Sequence, residues 1–121
     1  MTLISDEFET LTKDQKHILS VLYKNYLECV KCDTVKLNCN DFKSAKDIHS
    51  KYFQKLHFVD VENKLKKLKK SDFLNGIFVS DTIVQLSLSD KTIFYFENEF
   101  KSNLKSIVDY ISKIASIIPG L

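Results

Sequence analysis

A mostly helical fold carrying one small β-hairpin is what this chain predicts, and three observations carry the prediction. Residues 58–70 set Phe58, Val61, Leu65 and Leu68 at the spacing that lines one face of a helix. Residues 77–88 are rich in β-branched and aromatic side chains on either side of Ser80-Asp81, the pattern of two strands and a tip. From Phe100 onward, apolar residues recur in alternating steps of four and three, a period near that of a coiled-coil seam.

In chain order, residues 1–11 read as an acidic, weakly ordered lead-in, with Asp6, Glu7 and Glu9 against no base. Thr12 and Gln15 have capping-box spacing, which starts a helix from Lys13 to about Glu28. Its stripe is Ile18, Leu19, Leu22 and Tyr26. From Val30 to Lys43 periodicity is lost and Asp33, Asn38, Asn40 and Asp41 accumulate, so a long loop is expected. Asn40 or Ser44 then caps a short helix with Ala45, Ile48 and Tyr52 inward. Leu56 and His57 turn into the helix of residues 58–70, which ends near Ser71. Asn75-Gly76 is a tight-turn signal, and strands follow at 77–79 and 82–88. Ser89 caps a single long helix over residues 90–118, stopped by Pro119-Gly120.

The helix at 58–70 is also where the charge collects. Net charge over the 121 residues is only +2, yet residues 55–70 hold six lysines against Asp60 and Glu62. Residues 71–99 reverse the sign, with Asp72, Asp81, Asp90, Glu97 and Glu99 against Lys91. A basic helix between acidic stretches steers a polyanion to one face. That face centres on Asn63, with Lys66, Lys67 and Lys70 beside it. All 18 basic residues are lysine, which serves phosphate as a point charge but lacks the fork that reads guanine. The competing reading of the same lysines is a solvated helix surface.

Two stretches carry a resemblance. Residues 44–52 followed by 61–74 pair a small helix with a lysine-rich helix and a strand, and residues 84–96 run a strand into a last helix. Together with the first helix, these stretches resemble the winged helix-turn-helix superfamily of small bacterial or phage-type regulators. The resemblance departs at Asp72 and Thr92, where related sequences often place Gly. It implies a transcriptional regulator whose helix 58–70 enters the major groove of double-stranded DNA. That role carries over to Asn63, Lys66, Lys67 and Lys70, and Asn63 has the amide that pairs with adenine. It carries over poorly to the wing tip, Ser80-Asp81, because an acidic tip repels phosphate, and Asp60 adds to that repulsion. The alternative implied by that acidity is a protein-interaction module, an adaptor or anti-repressor, on the same scaffold.

The domain therefore spans residues 12–100, and residues 101–121 form a dimerisation part of the last helix. Leu104, Ile107, Ile111, Ile114 and Ile118 form a seam beyond the reach of a compact domain. A homodimer is the expected cover, with a partner protein or folding back onto the first helix as alternatives. Cys29 and Cys32 have the spacing of half a zinc site, but Cys39 stands alone and no second pair follows. Reduced thiols are expected, and neither metal nor cofactor. No nucleophile motif surrounds His17, His49 or His57, and two glycines leave no phosphate-cradling loop, so no enzyme is expected. Residues 1–10 lack the basic and apolar regions of a signal peptide and no run reaches membrane-span length, so a cytoplasmic protein is expected.

Overall fold

The computed structural model describes residues 4–32 and 35–118. Its elements in order are α1 (Ile4–Glu9), α2 (Lys13–Lys31), α3 (Lys36–Cys39), α4 (Ala45–Tyr52), α5 (Phe58–Lys70), β1 (Leu74–Val79), β2 (Thr82–Leu88), α6 (Asp90–Phe100) and α7 (Leu104–Ala115). The fold is thus mostly helical with one antiparallel hairpin, as the sequence predicts. Met1 to Leu3 of the expected lead-in, Asp33 of the expected loop and the Pro119-Gly120 stop lie outside the described residues.

Helix starts follow their caps. Thr12 and Gln15 form the expected capping box on α2, and Ser44 forms a second one with Asp47 on α4. Serving as N3 partner holds the Asp47 carboxyl below its ordinary range through hydrogen bonds from Ser44. The turn between α4 and α5 is held by His49, whose Nε2 donates to the Leu56 carbonyl at 2.7 Å. Apolar faces then meet: Ile18, Leu19 and Leu22 of α2, Ile48 of α4, and Val61, Leu65 and Leu68 of α5 are all buried in one cluster.

Residues 74–88 fold back on themselves at Ser80-Asp81, pairing Val79 with Thr82 and Ile77 with Val84. Asn75-Gly76 is not a turn, as the sequence suggested, but part of β1 at a register shift. A Cβ on Gly76 would stand 3.1 Å from side-chain carbons of Ile83 and Leu86, so close packing rather than turning accounts for the glycine. β2 is flanked on its other side by residues 40–43. Phe42 N–H donates to the Leu86 carbonyl at 2.9 Å, and Leu86 N–H donates to Lys43 at 2.8 Å. Asn40 extends this pairing with its side-chain amide, giving to the Leu88 carbonyl at 2.9 Å and taking from Leu88 N–H at 2.7 Å. Within the expected loop over 30–43, residues 36–39 form helix α3 and residues 40–43 run beside β2, joined to it by an isolated bridge between Lys43 and Leu86.

Further expectations are corrected here. The lead-in holds helix α1, whose Phe8 is buried, stacked on Tyr95 and edge-on to Phe96 and Phe73. The long last helix is two helices. Lys101 and Ser102 both take left-handed backbone conformations, and Asn103 caps α7 by accepting from Ser106 N–H. The chain reverses there, and α7 lies along α2. The expected dimer seam is consequently internal: Ile107, Ile114 and Ile118 are buried, with Leu104 and Ile111 partly buried against the core. Phe8 and Ile107 belong to the same hydrophobic cluster as residues of α2, α5 and β2. Lastly, Cys29 and Cys39 form a disulfide rather than standing as reduced thiols. Their Cα atoms lie 5.6 Å apart, while Cys32 keeps an exposed free thiol. Among the described residues, no helix is long and apolar enough to cross a membrane.

Candidate nucleic-acid interface

The four residues singled out on α5 do not share one environment. Asn63, Lys67 and Lys70 are exposed, on a stripe that begins with Val59. No hydrogen bond or ion pair ties their side chains to another described residue. Lys66 is different. Its Nζ donates to the Asp81 carbonyl at the hairpin tip at 2.6 Å and stands 3.7 Å from Glu62. The Glu62 carboxylate also accepts from the Thr82 hydroxyl at 2.8 Å. Glu62 and Lys66 thus clamp the tip of the hairpin onto α5, and Lys66 is a positioning residue for the hairpin more than a free cation. Sequence reasoning placed it on the outer face because helical spacing alone does not reveal the hairpin folded beside it.

At its C-terminus α5 is ended by a backbone motif. Asp72 takes a left-handed conformation at φ 65°, its N–H donates to Lys69, and Phe73 N–H donates to Leu68 at 2.9 Å. The position at which the resemblance expects glycine is therefore the left-handed residue just after the C-cap Ser71, a conformation that Asp tolerates. The second departure has its own use. Thr92 is buried in the first turn of α6, and its hydroxyl donates to the Phe73 carbonyl at 2.6 Å, beside a 3.1 Å bond from the Ser89 hydroxyl. These bonds fix the start of α6 to the end of the α5–β1 connection. Lys91 reinforces the same junction, donating to the Ser71 carbonyl at 3.0 Å, lying over the Phe73 ring and pairing with Glu7 at 3.2 Å.

The hairpin beside α5 is acidic at its tip and apolar along its outer strand. Ile77, Phe78 and Val79 are each nearly half exposed on β1, which pairs with β2 on one side alone. Chemically, the arrangement offers an exposed amide and two unpaired ammonium groups on a rigid helix. An Asp81 carboxylate stands at the tip and an apolar strand edge alongside. Among the described residues, no group of three or more His, Cys, Asp and Glu is placed to hold a metal ion.

The chain matches no protein-family model, no curated protein and no solved structure.

Proposed function

We propose that this is a winged helix-turn-helix domain that binds double-stranded DNA through α5 and acts as a small transcriptional regulator. One observation carries the reading: Asn63, Lys67 and Lys70 stand exposed, with no side-chain partner among the described residues, on α5, the helix that follows α4 across a short turn. The element order supports it as well, since three helices (α2, α4, α5), a hairpin and the strand-like segment 40–43 are the parts such a domain needs. In this reading Lys67 and Lys70 neutralise phosphates, Asn63 meets a base edge, and Lys66 holds the wing in place. With α7 packed along α2 within one chain, the reading needs only the single α5 that each chain carries.

A mobility-shift titration with a random-sequence duplex at low salt tests this directly. Retardation that weakens with added salt is expected. No retardation at any protein concentration sinks the reading. The second reading, a protein-interaction module without DNA binding, is favoured by the acidic tip and by the exposed Ile77-Phe78-Val79 edge. An edge of that kind suits an added strand from a protein partner.

A further inference from the structure

The pair Cys29 and Cys32, conspicuous in the sequence for its spacing, stands at the end of α2, yet the bridge runs from Cys29 to Cys39, 10 positions away. The three cysteines differ in access. Cys39 is 7% exposed, Cys29 is partly buried, and Cys32 carries an exposed thiol. Cys32 also closes the last turn of α2, its N–H donating to the Cys29 carbonyl at 3.1 Å. In a turn of that kind, side chains i and i+3 eclipse one another, so both cysteines lie on one face of the helix end. Their Cβ atoms are then about 5–6 Å apart, which lets the exposed sulfur swing onto the Cys29 end of the bridge. Because Cys32 is the capping residue, that movement strains no interior turn of the helix.

We propose that Cys29, Cys32 and Cys39 form a thiol–disulfide exchange site, with Cys32 as its nucleophile and small thiols and disulfides as its reactants. The Cys32 thiolate attacks Cys29 Sγ. The Cys29–Cys39 bond breaks, a Cys29–Cys32 bond forms, and Cys39 leaves as the thiolate, taking up the proton that Cys32 had lost. Attack falls on Cys29 because access decides which sulfur is reached, and Cys39 is the more shielded of the two. The new bridge has an exposed end. A small thiolate attacks Cys32 Sγ there, releasing the Cys29 thiolate and leaving a mixed disulfide on Cys32. A second small thiolate removes the first as a small disulfide and restores the Cys32 thiol. Two small thiols are oxidised, the protein's bridge is reduced to two thiols, and Cys32 ends as it began. Run backwards, the same steps let a small disulfide form the Cys29–Cys39 bridge. The exchange thereby controls the tether between α2 and α3, which pack on each other, next to the segment that Asn40 holds against Leu88.

Reduction of the intact, oxidised chain by excess reduced glutathione, with no DNA present, tests the relay independently of the DNA reading. Samples quenched in acid, alkylated and mapped as peptides give the fraction still bridged from Cys29 to Cys39. Wild type is expected to lose the bridge at least about tenfold faster than Cys32→Ser, because a thiol held one turn away outcompetes one arriving from solution. Wild type alkylated at Cys32, and purified with its bridge intact, should be as slow as the serine variant. Cys32 is exposed, so neither change disturbs the core, which circular dichroism checks. Glutathione trapped on wild type early in the reaction should sit on Cys32. The proposal is overturned if the variant and the alkylated chain lose the bridge as fast as wild type. It is equally overturned if the trapped glutathione sits on Cys29 or Cys39, or if the oxidised chain holds no Cys29–Cys39 bridge.

Discussion

Single side chains decide how α5 presents itself, and neighbouring lysines do so in opposite ways. Lys66→Ala removes the bond to the Asp81 carbonyl and is expected to lower stability by about 0.5–1.5 kcal/mol, the worth of one partly exposed hydrogen bond. Lys67→Ala should leave stability within about 0.5 kcal/mol, because no described residue holds that ammonium. On DNA the order reverses: Lys67→Ala and Lys70→Ala should each reduce the slope of log K against log salt by about 0.9. Urea melts and salt-dependent anisotropy on the three variants separate these roles. Asp72, left-handed at the end of α5, is a second point of leverage. Asp72→Gly relieves the Cβ penalty and should stabilise the chain by about 0.5–1 kcal/mol, read from the urea midpoint. His17 sets a pH dependence. Burial lowers its pKa from 6.5, and the nearby Asp14 only partly opposes this. The unfolded chain therefore binds that proton more tightly than the folded one. Stability from this residue is complete above the unfolded value and falls as pH drops through 6.5 and below. Urea midpoints between pH 7.5 and 5.5 should decline, and His17→Gln should flatten that decline.

Elements were legible in the sequence where a side-chain cap or an apolar period announced them, and illegible where tertiary contacts decided. The capping box at Thr12, the stripe Val61-Leu65-Leu68 and the Ser80-Asp81 tip all follow from local chemistry, and all stand in the fold. The break at Lys101-Ser102 had no glycine or proline to signal it. Its one local sign was Asn103, a good N-cap residue followed three positions later by Ser106, hidden inside a period that ran on without interruption. Residues 36–43 were read as loop because Asn40 and Asp41 suit loops, whereas the Asn40 amide imitates a strand residue against Leu88. On α5, spacing found Asn63, Lys67 and Lys70, but it could not see that the hairpin would fold against Lys66. The cysteines taught the same lesson. Local spacing pointed to Cys29 and Cys32, while the fold pairs Cys29 with Cys39, 10 positions away. Closing a loop of that length is worth about 2–3 kcal/mol on chain-entropy grounds. Reductant should therefore lower the melting temperature by several degrees, and Cys32→Ser should leave that response unchanged. A melting temperature indifferent to reductant means the disulfide does not form in solution.

At the scale of the whole molecule, α1 and α7 build the core rather than extending from it. Phe8 from α1 and Ile107 from α7 pack into the cluster that α2, α5 and β2 share. An aromatic ladder runs through it from Tyr26 and Tyr23 to Phe96 and Phe100, each neighbouring pair of rings stacked or nearly so. Burial pushes the Tyr23 hydroxyl up to about 12, and Glu97 adds to the rise, so these tyrosines stay neutral across the ordinary pH range. An isoleucine seam with a 3.5 period suits two copies of a helix or one helix lying along another, and the reversal at Lys101 selects the second by turning α7 onto α2. The two arrangements differ in a measurable way. If the seam joined two copies, Ile107→Ala would weaken association, and the melting temperature would rise with protein concentration. With the seam inside one chain, Ile107→Ala removes a fully buried side chain and should cost about 2–5 kcal/mol at every concentration. Phe8→Ala should act likewise, at about 3–5 kcal/mol, because its ring stacks on Tyr95 within the same core. Urea midpoints for wild type and both variants, taken over a hundredfold range of concentration, decide the matter. Midpoints that do not move with concentration, together with losses of this size, are the expected result. A wild-type midpoint that climbs with concentration, with Ile107→Ala abolishing the climb, would return the seam to a dimer.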